Sequence, residues 1–176
     1  MKIFISAFFL LFSSLALSQQ GWKDEHGLLT PDTDFRKSKN GFGGWLLVTS
    51  DADWRTKWET PSETIPHFTE AKSITKGNQV FVLTFFSNPL LVDGNANVSC
   101  DIDVIRPNGT SSIHQVGAVC FKGTLAEDAH HLFLSAPIIG FTGDPGDPVG
   151  EWLVRVKLRD NLRHIVLPLK TSFLLK

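Results

Sequence analysis

Alternation of apolar and polar residues with a period of two constrains this chain more than any other feature. Val98, Cys100, Ile102 and Val104 interleave with Ser99, Asp101 and Asp103, and Trp152, Val154, Val156 and Leu158 interleave with Leu153, Arg155 and Lys157. Ile165, Leu167, Leu169, Thr171, Phe173 and Leu175 continue the pattern to the end of the chain. Successive side chains of a strand leave on opposite faces, so each stretch predicts a strand with one buried face. Gln79 to Phe86 is apolar at both alternating sets, as a central strand covered on both sides requires. Gly44–Thr49, 111–121 and 132–139 complete seven expected strands, punctuated by Asp93-Gly94-Asn95, Pro107-Asn108-Gly109-Thr110 and Asp160-Asn161. Pro168 falls on the outward face of the last strand, which places that strand at an edge or at a bulge.

Asn108-Gly109 is the strongest turn signal, because both residues accept the positive φ of a two-residue hairpin turn. In that register Pro107 faces Thr110 and Cys100 faces Gly117, which leaves Cys120 three residues out of step. Either a bulge near His114 to Gly117 shifts the ladder, or the bond joins the two sheets; the bulge is the preferred reading. Cys100 and Cys120 are the only two cysteines. In an oxidising compartment such a pair is most simply a disulfide, and closing a loop of about twenty residues is worth roughly 3 kcal/mol.

That compartment is read from the N-terminus. Lys2, an apolar run from Ile3 to Phe12 interrupted by Ser6, and the small residues Ser13, Ser14, Ala16 and Ser18 form a cleavable signal peptide over 1–18. The run is too short to span a bilayer, no cysteine lies near the cleavage site to carry a lipid, and no C-terminal anchor is expected. The expectation is an exported, soluble protein, periplasmic or extracellular. Residues 19–42 are polar without apolar period and predict an extended or disordered lead-in, and 43–176 then form a single domain. Ser50-Asp51-Ala52-Asp53 caps one short helix, stopped by Thr60-Pro61, in which Trp54 and Trp58 share a face.

The fold class is therefore all-β: an antiparallel immunoglobulin-like β-sandwich of about seven strands with one short helix. Pro148-Val149-Gly150-Glu151-Trp152-Leu153-Val154-Arg155-Val156, a polar turn, and a closing strand ending in Thr171-Ser172-Phe173 resemble the last two strands of bacterial immunoglobulin-like domains. The resemblance covers about thirty residues and implies fold alone, since one sandwich hosts many functions. It departs from antibody-type domains in its cysteines, which bracket a hairpin.

Candidate chemistry is sparse. Seventeen basic and eighteen acidic residues leave a net charge of −1, which gives no footprint for nucleic acid or anionic lipid. Five Trp and fourteen Phe without Tyr are chiefly core material. No nucleophile-elbow, zincin, phosphate-loop or dinucleotide signature occurs, so no catalytic residue and no cofactor is expected. His130 and His131 are adjacent and point apart in a strand, and Asp144 and Asp147 in a Gly-Pro loop fall short of a calcium shell. His114 opposite Asp101 and Asp103 is the one carboxylate and imidazole cluster that a metal-dependent hydrolase would use. Trp54 and Trp58 are the candidate ligand-binding residues of a glycan-binding module, although burial of both indoles is the preferred reading. Asn97 and Asn108 sit in glycosylation sequons. The leading expectation is a non-catalytic exported module that binds or supports another envelope or secreted component, with a protein or glycan partner and no nucleic acid or membrane anchor.

Overall fold

Half-buried alternation needs a second sheet to bury against, and the structure supplies one. It is a computed structural model that describes residues 21–23, 26–60 and 66–176; the signal peptide expected over 1–18 and the first two residues of the lead-in lie outside the described residues. In order the elements are β1 (Arg36–Lys39), β2 (Phe42–Thr49), α1 (Trp54–Glu59), β3 (Ser73–Ile74), β4 (Gln79–Ser87) and β5 (Asn95–Ile105), then β6 (Ser111–Thr124), β7 (Leu132–Leu134), β8 (Ile139–Thr142), β9 (Gly150–Asp160) and β10 (Ile165–Leu175). One sheet runs β1-β2-β4, with β7 and β8 both on the far side of β4; the other runs β3-β10-β9-β5-β6. All pairings are antiparallel except that of β3 with β10. The protein is an all-β sandwich with one short helix.

Three departures from the expected strands have local causes. The run 132–139 divides because Pro137 cannot donate to a ladder, so β7 pairs with Phe85–Ser87 and β8 with Gln79–Val82 at the opposite end of β4. The lead-in contributes β1, which folds back on β2 through Asn40 and Gly41, both at positive φ as a type I′ turn demands. The sandwich therefore begins before residue 43, and Phe42 is wholly buried. Pro107 alters the third feature. Arg106 N–H donates to Thr110 O (2.8 Å), closing a three-residue loop in which Gly109 alone has positive φ. Proline's fixed φ and missing N–H suit the first central position of a type I turn, so the expected two-residue turn gives way.

The inner faces interdigitate around Trp152, Phe42, Phe86 and Phe173, with Phe141 tilted against both Trp152 and Phe173. Gly44 marks the closest approach of the sheets: a Cβ there would stand 2.8 Å from a methyl of Leu158 and 3.1 Å from one of Leu167. At one end a polar hub replaces apolar packing. Asp160, 1 % exposed, accepts the N–H groups of Leu90 (2.8 Å), Leu162 (3.1 Å) and Arg163 (2.9 Å). Arg163 Nε stands 3.4 Å from the same carboxylate, and its guanidinium reaches the carbonyls of Asn40 and Asn88.

Candidate functional site

Helix α1 lies on the outer face of the β2 and β4 sheet, where alternation leaves Trp45, Leu47, Phe81, Leu83 and Phe85 pointing away from the main core. Trp54 is 9 % exposed and packs on Phe81 at 5.9 Å between ring centroids. Trp58 packs on Phe85 at 5.4 Å, with Trp45 stacked on the same ring at 4.8 Å and Phe68 tilted against it at 5.9 Å. The two indoles do share a helical face, as their spacing predicts, and that face is turned inward to close a second apolar layer. Trp45 completes the layer; its position within the apolar run Gly44–Thr49 carried no sign that it faces outward.

Cys100 and Cys120 are joined, with Cα atoms 5.9 Å apart, inside the β5–β6 hairpin. Register shifts in this ladder make that possible. Ile102 faces Gln115, Cys100 faces Ala118 and Val98 faces Phe121, so residues are gained on β6 at Val116-Gly117 and again at Cys120. Gly117, at φ +66°, sits in the first of these bulges, where a bulge was expected.

The same bulge separates the three members of the candidate metal cluster. Asp101 is held by Arg159 through both guanidinium nitrogens and accepts Gly117 N–H at 2.9 Å. His114 Nδ1 lies 2.6 Å from Asp103 Oδ1 on the exposed face. Asp101, Asp103 and His114 thus do not converge on one point, because a cation already occupies the oxygens of Asp101. Among the described residues no group of three or more His, Cys, Asp or Glu side chains is placed to hold a metal. His130 and His131 have separate partners, Asp128 at 2.9 Å and Glu127 at 3.0 Å, and Asp147 caps Asp144 N–H within its own turn.

Hydrogen bonding from Arg159 is the main cause that holds the Asp101 carboxyl down to about 2, with Gly117 N–H assisting and burial opposing. A carboxyl lowered on folding contributes stability that is present above its unfolded pKa near 4 and lost as pH falls through about 2. Arg159→Met should therefore cost roughly 2 kcal/mol near neutral pH and much less near pH 2. Urea denaturation at the two pH values checks this; an equal cost at both would show that Asp101 is not the group responsible.

Strand β6 ends its sheet, so one side of its backbone has no neighbouring strand. Among the described residues its one backbone partner there is Ala136 N–H, on Cys120 O at 3.0 Å. The part from Ser111 to Val116, which is bulged at Ser112, contains no Lys, Arg, Asp, Glu or Pro. Val116 is 66 % exposed and Val119 is 61 % exposed.

No family model and no curated protein matches the chain. Among solved structures it is similar to a Niemann-Pick type C2 protein from Japanese carpenter ant, at 10 % identity and TM-score 0.40 over 74 % of this chain and 89 % of that one. It is also similar to a family 123 glycoside hydrolase from Clostridium perfringens, at 9 % identity and TM-score 0.39 over 76 % of this chain and 27 % of that one. With TM-scores below 0.5, neither likeness assigns a family or a ligand. Among the described residues no helix is long and apolar enough to cross a membrane.

Proposed function

We propose that the protein is a non-catalytic exported module that docks another envelope or secreted component, and that the partner adds an extended strand to the free side of β6. The uncharged edge over 111–116 carries this reading. An edge strand offers a row of unpaired N–H and C=O groups, and proteins that must not pair there usually place Lys or Pro on it. Here the irregularities of β6 are bulges at Ser112, Val116-Gly117 and Cys120, and between the first two Ile113 to Gln115 keep a regular register with β5. Strand addition would take affinity from main-chain hydrogen bonds and specificity from side-chain contacts such as one to Val116. The leader pattern from Lys2 to Ser18 and the disulfide both favour export.

The test uses the exported chain and Val116→Lys as baits in the matching secreted or envelope fraction. A component captured by the wild type, reduced at least about tenfold by a charge on the edge, and slowing amide exchange at 111–116 when added back, is the expected result. Equal capture by both baits, or unchanged exchange at 111–116, would overturn the proposal, and an unaltered melting temperature shows that the variant folds.

A further inference from the structure

Away from β6, at the other side of the same sheet, β10 is covered at two places and bare between them. Lys170 N–H donates to Asp34 O (2.8 Å) and Leu174 N–H donates to Lys72 O (3.0 Å). Backbone N–H groups alternate between the two sides of a strand, so Ser172 N–H faces the gap between these bonds. Among the described residues nothing accepts it. The gap is a concavity of about 540 Å³ walled by Asp34, Phe35, Glu70 and Lys72. A second concavity of about 450 Å³ adjoins it, shares Lys170 and Ser172, and is lined by Arg106, Arg155 and Leu153. The two make one groove along the outer face of the sheet.

Charge is unevenly divided along it. Lys170 and Arg155 are cross-strand partners. Because Lys170 N–H points away from β9, theirs is a non-hydrogen-bonded pair, the kind whose side chains lie closest. Like charges directly opposite one another are destabilising, and Arg106 brings a third cation to the same concavity. The acid that lines this half, Glu151, accepts the Ser172 hydroxyl at 2.7 Å, and Asp103 beyond Arg155 is engaged by His114. Asp34, 3.5 Å from Lys170 Nζ, offsets part of that cation's charge although it lines the other half. That half also offers the Glu70 carboxylate and the ring of Phe35, which is 40 % exposed. An oxyanion relieves the repulsion in the first half, and carboxylates beside an exposed aromatic ring suit a hydroxyl-bearing sugar ring in the second.

We propose that this groove binds an acidic oligosaccharide, with a carboxylate or sulfate between Arg155 and Lys170 and a neighbouring sugar ring at Phe35 within reach of Asp34, Glu70 and Ser172 N–H. The site is independent of the β6 edge. Amide and side-chain NMR of the exported chain, titrated with oligogalacturonate, a heparin-derived oligosaccharide, neutral cello-oligosaccharide and inorganic sulfate, tests it. The expected result is shifts in both halves with at least one acidic oligosaccharide, about tenfold weaker binding of the neutral one, and about tenfold loss in Arg155→Gln and in Phe35→Ala. Shifts confined to the cationic half and equally strong with sulfate alone, equal affinity for the neutral oligosaccharide, wild-type affinity in Arg155→Gln, or no shift in the groove with any probe would each overturn it. Because Arg155 is exposed, Arg155→Gln should keep its melting temperature; Lys170→Gln supplies a second variant should it not.

Discussion

Replacing Asp160 by Ala is expected to remove about 3–5 kcal/mol of stability, the cost typical of breaking a buried ion pair from one side. The carboxylate answers three backbone N–H groups and one guanidinium, and the methyl group that replaces it answers none. Each buried donor left unpaired costs about 1–3 kcal/mol, and the half-buried Arg163 guanidinium would lose its carboxylate partner. The loss should also propagate, because Arg163 ties the β1–β2 turn at Asn40 to the β4–β5 loop at Asn88. Urea denaturation should show a midpoint lowered by at least about 1 M at a slope typical for this size. Asp160→Asn keeps one oxygen for the Leu162 and Arg163 amides and should fall between the two. A midpoint for Asp160→Ala within about 0.3 M of the wild type would mean that the hub contributes little beyond what water supplies.

The second large effect is expected from the cysteines. Cys100→Ala with Cys120→Ala removes a link spanning 20 residues, and the chain-entropy account puts the loss at roughly 3 kcal/mol. Both positions are buried and flanked by ladder bonds that persist without the link, so the variant should fold and unfold at lower urea rather than fail to form. Wild type treated with a reductant should show a loss close to that of the double variant, since the two share an unconstrained unfolded chain. If reduction leaves the midpoint unchanged, the hairpin is held by its ladder alone and the entropic account fails here.

How much of the site was legible depends on whether local or distant neighbours decide a side chain's surroundings. The spacing of Trp54 and Trp58 placed both indoles on one face of α1, yet only the outward row Trp45, Phe81 and Phe85 turned that face into a buried layer. Asp101, Asp103 and His114 were placed on one outward surface correctly. Arg159, from a strand more than fifty residues away, decided that Asp101 is an ion-pair partner and not a candidate ligand. The groove at β10 carries no sequence signature at all, because its walls come from the lead-in, the segment before β3 and two neighbouring strands. Ser172 faces it only because bonds to Asp34 and Lys72 leave a gap between them.

The sequence by itself determined the all-β class, the single short helix, the inward and outward sets of β5, β9 and β10, and the pairing of Cys100 with Cys120; whether that bond lies within a bulged hairpin or joins the sheets was left to the register of β5 and β6. Those follow from a period of two and from residues near one another in the chain. The residue beside each Asn-Gly sets its turn: Asn40-Gly41 closes a tight hairpin, whereas Pro107 draws Asn108-Gly109 into a longer loop. Tertiary structure alone decided that part of the polar lead-in pairs with β2, that the two parts of 132–139 pair with opposite ends of β4, and that β6 is left with an open side. The physical reason is common to all of these: alternation specifies which face a strand buries, whereas the identity of the strand beside it is set by long-range pairing that no local period encodes.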